Sequence, residues 1–217
     1  MLYRTSSPLR NFLFLFLVAP LAVAGCTWYQ TPLVAFLGDS LTEGWGLKKR
    51  DAYPAVLARA LSERGHPIRV LNAGRGGDTV AQGRARLDNV LRRRPDVLVV
   101  ALGINDALRD MSVEAAESDL RRIVTDARAH GARVVLVGVH APPSLATAHT
   151  RRFASMYVRL AADLQVTFVP DLLAGAAGDP ERMFPDALHP TTAGQRQLAE
   201  NVRPMLEAVL VEISAAR

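Results

Sequence analysis

From Leu33 onward, short apolar runs alternate with amphipathic stretches. The runs are LVAFLG (33–38), IRVLNA (68–73), DVLVVAL (96–102), RVVLVGV (133–139) and VTFV (166–169). Several are rich in valine, and the middle ones are apolar on both faces, the pattern of parallel strands buried between helix layers. Between them the helical period predicts helices near 51–64, 80–94, 113–130 and 150–164, with a last one near 191–213. Ser112 is placed to cap the third of these, with Glu114 and Glu117 in the early turns where the helix dipole favours acids. Gly131 stands where a helix C-terminal glycine belongs. Pro204 is expected to kink or split the last helix near Val202, because proline lacks the amide donor and crowds the preceding turn. Alternating strand and helix predicts a doubly wound α/β/α domain with a five-stranded parallel sheet, for which the common doubly wound order 2-1-3-4-5 is expected. At 217 residues the chain is long enough for one such domain and not comfortably for two.

The polar residues within this pattern are concentrated after the strands. Strand one runs into Gly38-Asp39-Ser40, strand two into Asn72-Ala73-Gly74-Arg75-Gly76-Gly77-Asp78, and strand three into Gly103-Ile104-Asn105-Asp106. Asp186 and His189 follow strand five. Open α/β sheets form their sites beyond the carboxyl ends of the strands, near the switch in strand order. With neighbouring strands about 4.8 Å apart, Ser40 falls between Gly77 and Asn105. A serine hydroxyl needs a base within hydrogen-bond reach to act as a nucleophile, and His189 can be that base if its loop folds over the sheet edge. Asp186, three residues earlier, shares a face with His189 if the two lie on one helical turn. It can then hold the imidazole in the right tautomer and stabilise its protonated form. The oxyanion formed by attack on an ester carbonyl needs preorganised donors. The N–H groups of Ser40 and Gly77 and the side-chain amide of Asn105 are available for this, although Gly76 could stand in for Gly77.

Four of these segments together resemble a known family. GDSLTEGWG (38–46), NAGRGGDT (72–79), LGIND (102–106) and DALHP (186–190) match the four blocks of the SGNH, or GDSL, hydrolases, over about residues 33–215. The likeness is to the bacterial thioesterase I, lysophospholipase and arylesterase branch. The nucleophile does not sit in a G-x-S-x-G elbow, since Thr42 occupies the last position. The resemblance implies a flavodoxin-like three-layer sandwich with Ser40 as nucleophile, His189 as base and Asp186 as its orienter. It also implies an oxyanion hole of Ser40, Gly77 and Asn105, and acyl transfer to water with no cofactor and no metal. Its substrates would be acyl esters and thioesters, lysophospholipids and short-to-medium-chain or aryl esters, with acetylated carbohydrate as the alternative. The loops at 140–150 and 174–188, with Leu172, Leu173, Met183 and Phe184, are expected to decide chain length. Trp45 and Leu47 fit either an acyl pocket or the packing of the following helix.

Two readings from other classes compete. Asp39, Asp78, Asp106 and Asp186 could together hold Mg²⁺, since hard cations prefer carboxylates; otherwise these aspartates brace loops. A non-catalytic envelope protein binding glycan or lipid would use the same fold, but it would have no need of a complete set of nucleophile, base, orienter and oxyanion donors.

The N-terminus reads as an address. Residues 1–10 carry two arginines and no acid, residues 11–24 are almost entirely apolar, and Gly25-Cys26 follows. The apolar run is short for a membrane span, which needs about 20 residues, and fits a secretory signal. Val23-Ala24-Gly25-Cys26 resembles the lipobox of bacterial lipoproteins, which implies a signal peptide over 1–25, diacylglycerol on Cys26, a tether over 26–32 and the hydrolase domain over 33–217. The expected location is the periplasmic side of the cell envelope, on the outer rather than the inner membrane, since no aspartate follows Cys26. Cys26 is the chain's one cysteine, so no intramolecular disulfide can form. The net charge of +5 invites a nucleic-acid reading. Arg4 and Arg10 fall in the segment to be removed, however. The remaining arginines, among them Arg84, Arg86 and Arg92 to Arg94, alternate with acids as on a solvated helix face. No nucleic-acid motif is present, and a monomer is expected.

Overall fold

A computed structural model of the chain describes residues 31–216. The expected signal peptide and Cys26 lie outside the described residues. In chain order the elements are β1 (Leu33–Gly38), α1 (Ser40–Glu43), α2 (Tyr53–Glu63), β2 (Arg69–Gly74), α3 (Val80–Ala85), α4 (Leu87–Leu91) and β3 (Val97–Ala101). They continue with α5 (Ile104–Leu108), α6 (Val113–Ala129), β4 (Arg133–Val137), α7 (Ala148–Leu164), β5 (Thr167–Val169) and α8 (Thr192–Ala215). All five strands are parallel and run in the order β2-β1-β3-β4-β5, as the sequence predicts.

The period of two along each strand divides the core. Val34, Phe36, Val97, Val99, Val135 and Val137 face α2 and α8, where they meet Tyr53, Leu57, Leu61, Leu198, Val202 and Leu206. Ala35, Leu37, Leu98, Val100, Val134 and Leu136 face the opposite layer, with Leu120, Ile123 and Val124 of α6 and Phe153, Met156 and Leu160 of α7. Burial on both sides explains why β3 is apolar throughout. Gly38, Gly74 and Ala101 stand abreast in the sheet register, so the loops after β1, β2 and β3 leave from one level of its carboxyl edge.

Two helices depart from expectation. The stretch 80–94 is not one helix: it breaks at Arg86, whose backbone leaves helical geometry (φ −109°, ψ 6°) between α3 and α4. The helix α8 is not split at Pro204 but runs unbroken for 24 residues. Pro204 lies on the exposed side, where the carbonyl it deprives of a partner can turn to water, while Leu198, Val202, Leu206 and Val209 hold the other side in the core.

Candidate active site

Ser40 opens α1, a four-residue helix set directly on the end of β1. This close seating depends on Gly38, where a Cβ would come within 2.0 Å of the Thr42 hydroxyl and 2.9 Å of the Ala101 carbonyl. Asp39 caps the helix, its Oδ1 accepting the Leu41 N–H at 3.0 Å. Ser40 itself is 7% exposed.

Asp186 and His189 arrive on a tight turn, not on the helical turn their spacing suggests. The Phe184 N–H donates to the His189 carbonyl at 2.8 Å, Met183 and Pro190 form an antiparallel bridge, and Ala187 takes a positive φ of 58°. Pro190 bars a helix from reaching back through His189. Within the turn Asp186 Oδ1 accepts the N–H groups of Leu188 and His189, each at 2.9 Å. Its Oδ2 lies 2.8 Å from His189 Nδ1, and His189 Nε2 lies 3.0 Å from Ser40 Oγ. Burial pushes the Asp186 carboxyl up, but its hydrogen bonds from the His189 backbone, the imidazole and the Leu188 N–H together outweigh burial and leave it below its ordinary value. The turn is latched to α1 through buried Gln195, which accepts the Tyr53 N–H at 2.7 Å and donates to the Leu41 carbonyl at 3.2 Å. Trp45 stacks on the imidazole, with centroids 4.3 Å apart and planes 28° apart, and meets Phe184 edge-on.

Opposite the imidazole lie the loops after β2 and β3. Gly77 adopts a φ of 79°, which glycine alone takes without strain. The choice between Gly76 and Gly77 is decided by Glu43: its Oε2 accepts the Gly76 N–H at 2.8 Å, whereas the Gly77 N–H finds no acceptor among the described residues. One N–H of the Asn105 amide donates to the Asp78 carbonyl at 3.0 Å, leaving the second free. The Asp78 carboxylate in turn holds Arg86, at 2.6 Å from Nε, while the two terminal nitrogens of Arg86 donate to the carbonyls of Ala73 and Gly38 at 2.7 and 2.9 Å. Arg86 is therefore a strut under the site and not part of a solvated face. Buried Tyr157 donates to the Leu102 carbonyl just below Asn105.

The four aspartates do not converge. Asp78 is taken by Arg86, Asp186 by His189, and Asp106 Oδ2 accepts the Val80 N–H at 3.0 Å, capping α3. Burial above all raises the Asp106 carboxyl. Burial also pushes Asp39 up to about 7, reinforced by the carboxylates of Asp106 and Asp78 and opposed by the Leu41 N–H. Asp39 Oδ2 is buried without a hydrogen-bond partner. Among the described residues no group of three or more His, Cys, Asp or Glu is placed to hold a metal ion.

One assignment changes. Leu172, Leu173 and Met183, expected to shape an acyl pocket, are core residues, because the chain after β5 turns back under α8 before reaching the catalytic turn. His140 pairs with Asp171, 3.6 Å away, and has no part in the bridge to Ser40. His149 tucks its ring against Phe153. Sequence reasoning missed Arg86, Glu43, Gln195 and Tyr157. Glu43 alone left a trace, standing inside the block that carries Ser40.

A three-layer α/β/α sheet with a Ser–His–Asp relay at its carboxyl edge defines a serine hydrolase. Residues 36–197 match the GDSL-like Lipase/Acylhydrolase family, and the chain belongs to it. It is 37% identical over 182 residues to the Esterase TesA of Pseudomonas aeruginosa, covering 83% of this chain and 90% of that protein. To the Thioesterase 1/protease 1/lysophospholipase L1 of Escherichia coli it is 30% identical over 200 residues, 92% of each chain. A crystal structure of TesA superposes with a TM-score of 0.78 at 35% identity, covering 82% of this chain and 99% of that one. The chain is an ester-hydrolysing enzyme.

Proposed function

We propose that the enzyme hydrolyses acyl esters and thioesters through an acyl intermediate on Ser40. The observation that carries this reading is the imidazole of His189 spanning Ser40 Oγ and Asp186 Oδ2 at 3.0 and 2.8 Å. Ser40 Oγ attacks the carbonyl carbon as His189 Nε2 takes its proton. The carbonyl electron pair moves onto oxygen, where the N–H groups of Ser40 and Gly77 and the free Asn105 N–H receive it. When the intermediate collapses, the bond to the leaving atom breaks and His189 returns the proton to that atom. Water then repeats the sequence on the acyl-serine and releases the acid. Asp186 keeps Nδ1 protonated and offsets the charge on the imidazolium.

Lysophospholipid and medium-chain or aryl esters are the proposed substrates, supported by the families of activity named for the relatives. Export and a lipid on Cys26 would place the enzyme in the cell envelope, where acyl-lipid debris is at hand and acyl-CoA is scarce. The test is hydrolysis of p-nitrophenyl esters from acetate to palmitate by the purified chain, Ser40→Ala and Asn105→Ala. Ser40→Ala should abolish the rate, and Asn105→Ala should lower kcat by about 10²–10³-fold, as expected for one lost oxyanion donor. A rate indifferent to Ser40 would remove the nucleophile assignment, and an undiminished Asn105→Ala would remove that donor.

A further inference from the structure

The loop that carries the Gly77 N–H has little of its own to hold it. It is a four-residue turn, closed by the Asp78 N–H donating to the Arg75 carbonyl at 3.2 Å, and both its central residues are glycine. Two adjacent glycines leave the chain more conformational freedom than any other pair, so the direction of the donor has to be set from outside. The base of the loop is fitted to α1. The Asn72 side-chain amide donates to the Thr42 carbonyl at 2.8 Å, and a Cβ on Gly74 would come within 2.2 Å of the Glu43 nitrogen. The far side is held from the end of α5, where Arg109 donates to the Gly77 carbonyl at 3.2 Å. The Gly76 side is held by one bond among the described residues, from the Gly76 N–H to Glu43 Oε2 at 2.8 Å.

We propose that Glu43 is a positioning residue for the oxyanion hole, tying the turn that presents the Gly77 N–H to the helix that presents Ser40. The proposal rests on the esterase reading above and deepens it. Ser40 is the first residue of α1 and Glu43 the last. One four-residue helix therefore fixes the attacking oxygen and, through the Glu43 side chain, one of the donors that receive the charge it creates. When Ser40 Oγ bonds to the carbonyl carbon, the electron pair displaced onto oxygen must appear within about 3 Å of the waiting donors. That distance depends on the separation between α1 and the turn, which is what the Glu43 side chain spans. The fit is close: a Cβ built on Gly76 would stand 2.9 Å from Glu43 Oε2 and 3.9 Å from Ser40 Cβ. Glycine at this position leaves the carboxylate its place. The charge of the carboxylate is not what the reaction uses, since a negative charge beside a developing oxyanion opposes it. What matters is an acceptor at that reach.

Four variants of the purified chain separate reach from charge, read as kcat and KM on p-nitrophenyl butyrate with the melting temperature alongside. Glu43→Ala should lower kcat by about 10- to 100-fold, less than outright loss of a donor because Arg109 and the base of the loop still hold the turn. KM should stay near the wild-type value, because formation and breakdown of the acyl-serine use the same donor and slow together. Glu43→Gln keeps the reach and an acceptor oxygen without the charge, and should restore most of the lost rate. Glu43→Asp keeps the charge but is one methylene short, and should behave as Glu43→Ala does. The Gln and Asp variants decide the matter if Glu43→Ala folds poorly. Gly76→Ala gives a further reading: its methyl would displace the carboxylate, so it should lower kcat in the wild type and add little in Glu43→Ala. A rate kept by Asp and lost by Gln would make charge the operative property. A raised KM at unchanged kcat would make Glu43 a substrate contact, and losses in Glu43→Ala and Gly76→Ala that multiply would show two unconnected effects. Each of these results, like an unchanged kcat in Glu43→Ala, overturns the proposal. Loss of the esterase reading would show separately, as hydrolysis that survives Ser40→Ala, and the proposal would fall with it.

Discussion

At the level of single residues, Asp39 sits in surroundings hostile to a carboxylate. It is fully buried, one oxygen caps α1 and the other has no partner, and burial raises its pKa from 3.8 to about 7. Between those values the folded state holds a proton that the unfolded chain releases. The stability this group contributes is therefore complete at low pH and is lost as pH rises from about 4 through about 7. Asn keeps the cap oxygen but cannot ionise. Asp39→Asn should accordingly gain in melting temperature over the wild type as pH rises from 4 to 7, with the gap level above that. A gap that stays constant from pH 4 to 8.5 would mean that Asp39 does not change protonation in that window. Residue types at the site were legible because chemistry restricts them: a nucleophile, a base and an orienter must be Ser, His and Asp or close equivalents. The burial of Asp39 and the stack of Trp45 on His189 were not, since both depend on what the fold packs around them.

Among the elements, the break at Arg86 shows where local pattern stops carrying information. The apolar period passes through it undisturbed, with Leu87, Val90 and Leu91 buried in α4 as a continuous helix would bury them. What interrupts the helix is distant: the carbonyls at the ends of β1 and β2 and the Asp78 carboxylate, all of which Arg86 satisfies at once. No reading of residues 80–94 alone could find acceptors that lie on other strands. Pro204 fails in the converse way, since its local rule is sound but the buried stripe of α8 overrides it. The strands, by contrast, were legible to within two residues, most plainly the central β1, β3 and β4, where burial on both sides leaves a mark in composition itself. Removing the strut would leave the Asp78 side chain, 6% exposed, with only the exposed Arg75 guanidinium 3.9 Å away. Arg86→Ala should cost about 2–4 kcal/mol of folding stability, measured by chemical denaturation. Arg86→Lys should recover little of it, because a single ammonium cannot replace the planar fork. Activity should fall further than stability requires, since the loop that Arg86 holds is the one whose Asp78 carbonyl orients Asn105.

For the molecule as a whole, the proposed address and the catalytic groups occupy separate stretches of chain. Every group assigned to the reaction lies between Ser40 and His189, and the buried core of the described residues runs from Val34 to Ile213. The lipobox-like segment ends at Cys26, before the first strand begins. Location should therefore be separable from chemistry by one substitution. Cys26→Ser removes the thiol that would carry diacylglycerol, and with it the acyl chains that firm anchoring requires, since a single chain holds a protein only marginally. If the lipobox operates, wild-type protein should take up labelled palmitate and sediment with membranes. Cys26→Ser should then take up no label, while its kcat/KM on a soluble p-nitrophenyl ester matches that of the wild type. An unlabelled wild-type protein would end the lipoprotein reading and leave the esterase intact. Labelling accompanied by a changed rate in Cys26→Ser would show that the anchor reaches the site, either by holding the domain against a surface or by presenting substrate to it.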